Sequence, residues 1–277
     1  MKRIVITFSI VMIVISACKD EDIINNPYQT STQASQDHLF AENIFNDINR
    51  IVEDGFNVNG LNKSSCVNYK TIASDSSDAD TLIINYGDND CLDEYGKIRR
   101  GKIIVIYTAP YQEESSQTIT TFDQYYVNST DWIQGSRIMT NNGTDNNGNM
   151  IFDVLIDANI STEIGRIDWI SERTRYWANG YETILDPFDD IYKIVGSSNG
   201  NGLNDRDFTV NITDTLIVRL ECISPDMSFE HRCMIVSGKA EVKPEEYPVR
   251  KINYGMDECD CNFSVAVNND IYTIVVP

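Results

Sequence analysis

DFTVNITDTLIVRLEC, residues 207–222, alternates in two runs. Phe208, Val210 and Ile212 share one parity, opposite Thr209, Asn211 and Thr213. Leu216, Val218, Leu220 and Cys222 then oppose Ile217, Arg219 and Glu221. Successive side chains of a β-strand point to opposite faces, so this pattern predicts strand with one buried face. CMIVSGKAEV, 233–242, repeats it with Met234, Val236, Gly238, Ala240 and Val242. NMIFDVLID and GKIIVIYT are also strands, apolar on both sides, and the clusters NNGTDNNGN and SSNGNGLND punctuate the pattern as turns. About ten to twelve strands joined by short turns predict a mainly β protein of antiparallel sheets, either a sandwich or a curved half-barrel.

One segment departs from this period. In HLFAENIFNDINRIVEDGF, 38–56, the residues Ala41, Ile44, Phe45, Ile48, Ile51 and Val52 recur at steps of three and four. This predicts one amphipathic helix, N-capped by Asp37, stopped by Gly55 and packed by its apolar stripe on a sheet.

Two octets are nearly identical: INYGDNDC ending at Cys91 and INYGMDEC ending at Cys259. Facing residues of an antiparallel hairpin have a constant sum of numbers. The midpoint of Cys66 and Cys91 falls between Asp78 and Ala79, and that of Cys233 and Cys259 falls at Glu246. Both midpoints lie in polar, turn-forming runs. Facing residues have Cα atoms about 4.5–5.5 Å apart, within disulfide range. Cys66–Cys91 and Cys233–Cys259 are therefore expected, which leaves Cys222 for Cys261. Each of the first two closes a loop of about 26 residues, worth roughly 3–4 kcal/mol on the chain-entropy model. In this reading Gly87 and Gly255 supply a positive φ or a bulge, and Asp88, Asp90, Asp257 and Glu258 are solvated turn residues. A second, weaker duplication pairs the stretch from Phe122 with that from Phe188: Phe-Asp, strand, Gly-Ser, Asn/Gly-rich turn, strand. It predicts related hairpins in one sheet.

The first residues read as an address. Lys2 and Arg3 precede an apolar run from Ile4 to Ile15, too short to span a bilayer. Ile15-Ser16-Ala17-Cys18 resembles the lipobox of bacterial lipoproteins, in which the cysteine sulfur carries diacylglycerol and palmitate-class chains anchor the mature N-terminus. Lys19-Asp20-Glu21-Asp22 resembles the export tag of surface lipoproteins. The expected organisation is a signal peptide over 1–17, a flexible tether over 18–37 and one disulfide-stapled β domain over 38–277. The expected location is the outer membrane, anchored through Cys18, at the cell surface or on the periplasmic face.

Composition narrows the partners. The chain has 22 Lys and Arg against 42 Asp and Glu, a net charge of −20, and loss of residues 1–17 removes only basic charge. Such a surface repels phosphate backbones, which disfavours nucleic acid. Seven cysteines divide into lipidated Cys18 and an even set of six, as an oxidising compartment favours. Cys259-Asp260-Cys261, with His231 and Cys233 nearby, is the rival metal pattern, but zinc sites favour CxxC pairs, and neither metal nor cofactor is expected.

The combination of INYG…C, GKIRRGKIIVIYT (96–108), TTFDQYYVN, GSRIMTNNGTDNNGN, CMIVSGKAEV and INYGMDEC resembles a family of Bacteroidota lipoproteins with repeated Tyr-Gly-x-x-x-Cys hairpins. The resemblance covers roughly residues 64–277. Met256 and Glu258 depart from that family's usual closing phrase, and Asn268-Asn269 stands where Asn-Gly is usual. The resemblance implies location and fold and brings no activity with it.

Recognisable chemistry is sparse. Only His38 and His231 are histidines, and there is no GxSxG, HExxH, P-loop or GxGxxG motif. NNGTDNNGN resembles a calcium loop, but an EF-hand alignment puts Gly143 first and Val154 twelfth, and neither can ligate as that loop requires. Trp169, Tyr176 and Trp177 of WISERTRYW could stack on sugar rings. Trp169 and Trp177 share a strand face, which makes them better core candidates. Asp80-Thr81-Leu82 and Asp214-Thr215-Leu216 resemble O-glycosylation tripeptides. Three functions remain in play: a non-enzymatic surface protein binding a protein, glycan or lipid partner; a carrier holding an apolar ligand between sheet and helix; and, weakest, a carbohydrate-active enzyme with paired carboxylates.

Overall fold

A computed structural model describes residues 29–57, 66–73, 79–183, 186–224, 226–228 and 232–275. Helix α1, Gln33–Phe56, is followed by β1 Asn68–Ile72, β2 Asp80–Leu92, β3 Ile98–Tyr107, β4 Gln117–Val127, β5 Asp131–Thr144, β6 Met150–Thr162 and β7 Gly165–Asn179. Next come β8 Ile191–Asn201, β9 Asp207–Arg219, β10 Ile235–Pro244, β11 Arg250–Met256, β12 Asn262–Val267 and β13 Asp270–Val275. Among the described residues each strand pairs antiparallel with its sequence neighbours, so the 13 strands form one open meander without a crossover. Of the two arrangements left open by the sequence, the single curved sheet is present and the sandwich is not.

The sheet curves because α1 occupies its inner face. Side chains from β2, β3, β4, β5, β7 and β11 all reach the helix. The alternation read in residues 207–222 is realised: Phe208, Val210, Leu216, Val218 and Leu220 are buried, while Thr209, Asn211 and Thr213 face solvent. Both Asn/Gly-rich clusters close hairpins. Asp145 caps its own turn through the Asn147 and Asn149 amides, and Gly202 donates to the Arg206 carbonyl. The second duplication thus corresponds to the β5–β6 and β8–β9 hairpins.

The helix departs from expectation at both ends. It begins at Gln33, so Asp37 is a full turn inside it rather than its N-cap, and the tether read over 18–37 loses its last residues to the domain. Nothing in Gln33-Ala34-Ser35-Gln36 opposes a helix, and its polarity hid it from the periodicity. The Asp37 carboxylate instead accepts from Gln33 Nε2 at 2.8 Å and from the Leu203 amide at 3.1 Å. Gly55 does not stop the helix; a Cβ there would lie 2.9 Å from Leu82 and from Ile84, so glycine lets α1 approach β2.

The repeated octet is scaffold in both copies. Ile84 and Ile252, then Tyr86 and Tyr254, point inward, and Gly87 and Gly255 have φ of 82° and 113°. Asn85 and Asn253 each cap the glycine amide two residues on.

All six expected cysteines are disulfide-bonded, but two of the three pairings differ from expectation. Cys66–Cys91 is present with Cα atoms 5.9 Å apart. The others are Cys222–Cys259 at 5.3 Å and Cys233–Cys261 at 5.1 Å, in place of Cys233–Cys259 and Cys222–Cys261. The midpoint rule is right within the ladder, where Ala240 faces Ile252, but the register slips between Ser237 and Lys239 and the ladder stops at Met256. Beyond it, positive φ at Asp257 and Cys261 redirects the chain, so that Cys261 rather than Cys259 returns to Cys233. Even Cys66–Cys91 forms off the simple register: Asn68 faces Asn85, and β2 carries extra residues between Gly87 and Cys91 relative to β3.

Candidate functional site

The apolar stripe of α1 packs as expected, with Phe45 stacked on Trp169 at 5.4 Å. Its polar side is buried as well. Asp37, His38, Glu42, Asp47, Asn49, Arg50, Glu53 and Asp54 are all buried, and His38, Glu42, Asp47, Asn49 and Glu53 meet inward-facing polar groups of the sheet. Arg99 on β3 donates to Asp47 and to Asp93 at 2.6 Å each and to the Tyr125 hydroxyl at 2.8 Å. Arg50 holds Asp47 and Asp54, and its guanidinium lies 3.6 Å from the Tyr95 ring centre. On β7, Arg173 pairs with Glu42 at 2.9 Å and Arg175 with Glu53 at 2.7 Å. Arg137 on β5 donates to Asn49 Oδ1 and to the Met139 sulfur.

Burial raises the cost of each charge, and partners decide the outcome. Burial works against the Asp47 carboxylate, yet Arg99, Lys97 and Arg50 hold it well below the usual carboxylate range. Arg173 and then His38 likewise outweigh burial at Glu42 and lower its pKa. His38, whose Nε2 lies 3.0 Å from the Tyr254 hydroxyl, is pushed down to about 4 by burial, with Arg173 adding to the effect against Glu42. At the other end of α1, burial and then Glu53 raise Asp190 to about 7. The geometry agrees. The Tyr192 hydroxyl is 3.0 Å from Asp190 and 3.3 Å from Glu53. One hydroxyl proton cannot serve two carboxylates, so a proton on Asp190 completes the chain. Arg137 is pulled down to about 9 by burial and then by Arg175, against Glu53.

This network belongs to the interior. A space between helix and sheet lined by Arg137, Trp169 and Arg173 is about 30 Å³, and another beside Glu53 and Asp190 is about 10 Å³. Both are on the scale of water rather than of a substrate. Trp169 and Trp177 are buried, the latter stacked on Tyr111, so neither offers a sugar platform.

The outer face carries a concavity of about 620 Å³ across β7–β10. Strand register builds it from two rows. One runs Glu172, Ser197, Asn211, Glu241, and the other Ile170, Asn199, Thr209, Lys243. Val249, from the β10–β11 turn, closes one end. Ser, Thr and Asn side chains each both donate and accept hydrogen bonds, so its centre suits hydroxyl-rich surfaces. Sequence reading found Thr209 and Asn211 as the outward face of a strand, but not their partners on β7, β8 and β10, because register is not a local signal.

The remaining sequence candidates are placed as follows. Cys18, residues 1–17, the acidic tag and His231 lie outside the described residues. Asp88 and Asp90 lie within β2 rather than in a turn, because the strand runs on to Leu92; Asp90 binds Arg100 and Ser129 on the surface, and Asp257, just past β11, binds Arg219. Thr81 and Thr215 lie within strands. Among the described residues no three His, Cys, Asp or Glu side chains are arranged to hold a metal ion, and no helix is long and apolar enough to cross a membrane. The chain matches no family model, no curated protein and no solved structure.

Proposed function

We propose that this chain is a lipoprotein of the outer membrane surface, anchored through Cys18, with a non-enzymatic binding role exercised by the β7–β10 groove. The observation that carries the binding role is the groove's make-up. Ser197, Asn199, Thr209 and Asn211 face solvent between Glu172 and Glu241 at the ends of one row. Uncharged side chains that donate and accept, with Ile170 and Val249 as the apolar part of the lining, fit a neutral polyhydroxylated polymer such as a glycan chain. The net charge of −20 works against polyanions. A carrier of apolar ligand needs interior space, and α1 fills the face that would provide it.

Two measurements test this reading. Palmitate labelling of cells expressing the full chain is expected to mark the wild type and not Cys18→Ala, with the label on protein that protease removes from intact cells. Unlabelled wild type, or label on a chain shielded from protease, overturns the address. Migration of the full chain through gels containing neutral polysaccharides is expected to be retarded by at least one of them, and the Asn199→Ala/Asn211→Ala double variant is expected to run freely with an unchanged melting temperature. Free migration of the wild type in every gel, or equal retardation of the variant, overturns the groove as the binding surface.

A further inference from the structure

The cavity where α1 meets β5–β8 has more positive than negative charge in its lining. Arg137 is 1 % exposed, and among the described residues no carboxylate pairs with it. Arg173 and Arg175 line the same cavity of about 30 Å³, and their carboxylates, Glu42 and Glu53, are already engaged. Three guanidiniums thus face two carboxylates. Guanidinium stays protonated in proteins, so the excess is not relieved by loss of a proton at neutral pH. A buried charge without a partner costs several kcal/mol.

Among the residues lining this cavity, the hydrogen-bonding groups left over have one polarity. Arg137 Nη1, Arg173 Nε and Nη1, and Trp169 Nε1 are buried without a protein partner, and each is an N–H donor. All belong to residues lining the cavity. Water could accept from them but would bring no charge. Asn46 Nδ2, also in the lining, is a further buried donor without a partner.

We propose that this cavity binds one small monovalent anion of the halide class, held by Arg137 with Arg173 and Trp169. A space of about 30 Å³ admits a monatomic anion and is too small for a substrate-sized molecule. The anion offsets the third guanidinium of the cavity, as Asp47 and Asp93 do for Arg99. It has no part in the groove's ligand binding and stands or falls separately.

The full chain, purified in non-ionic detergent, would be melted in sodium gluconate with stepwise replacement by sodium chloride or bromide at constant ionic strength. Halide is expected to raise the melting temperature along a saturating curve. The unfolding equilibrium constant falls about tenfold at a concentration ten times Kd. Arg137→Met is expected to fold, to melt at or above the wild type in gluconate, and to lose the halide response. Identical wild-type melting in gluconate and chloride, or an undiminished response in Arg137→Met, overturns the site. Should that variant fail to fold, chloride-35 NMR on the wild type decides. Line broadening reversed by bromide supports the site, and its absence refutes it.

Discussion

Arg99 and Arg137 are the same residue under the same conditions, on β3 and β5, pointing inward at one helix and almost wholly buried. Arg99 has two carboxylates and a tyrosine hydroxyl, and the Asp47 charge raises its pKa well above the ordinary value against the effect of burial. Arg137 has an amide and a sulfur, and burial lowers its pKa. One region is balanced by the protein alone, and the other is not. The difference separates charges that hold the fold together from a charge that needs something the chain does not supply.

The largest expected effect separates the two directly. Arg99→Met leaves Asp47 and Asp93 buried beside fewer cations, and removing one partner of a buried pair costs about 3–5 kcal/mol. Urea denaturation should show that loss, whereas Arg137→Met in gluconate should show none. Equal losses would mean that both arginines are structural in the same way.

Gly55→Ala should come next. Its methyl would meet Leu82 and Ile84 at 2.9 Å, and overpacking costs about 1–3 kcal/mol. The alanine would be stabilising by roughly 0.5–1 kcal/mol if Gly55 were merely an ordinary helical residue, so the sign of the change in a thermal melt settles whether α1 is pressed against β2.

The smallest effects lie in the pH dependence, where the two ends of α1 have opposite signs. His38 has a folded pKa of about 4, below its ordinary 6.5. Its share of stability is present above pH 6.5 and is lost as pH falls towards 4. Asp190 has a folded pKa of about 7, above its ordinary 3.8. Its share is present at low pH and is lost as pH rises from 4 to 7. Over pH 4–6.5 the two oppose each other in the wild type. Relative to wild type, Asp190→Asn should gain stability with rising pH and His38→Gln should lose it. Parallel curves for both variants would remove these assignments.

Much of the fold was legible before any coordinates. Period-two alternation marked the strands, and the Asn/Gly clusters marked their turns. Parity even carried the charged interior unnoticed: Trp169, Ser171, Arg173, Arg175 and Trp177 share one face, so two tryptophans placed in the core place two arginines there too. Burial of the polar side of α1 was not legible, because amphipathicity says which side is apolar and not what covers the other. The disulfide partners Cys259 and Cys261 were exchanged because a bulge and two positive-φ residues are not written in spacing. The groove depends on register among β7–β10, which no single strand reveals.

The account rests on α1 being a permanent filling of the sheet's inner face, which turns recognition outward. Amide hydrogen exchange of the full chain tests this most directly. The amides of Ile44–Val52 should exchange as slowly as the slowest strand amides, with the free energy of global unfolding. Exchange in this segment markedly faster than in β5–β7 would mean that the helix leaves while the sheet stays folded. The inner face would then be an openable cavity, which contradicts the account.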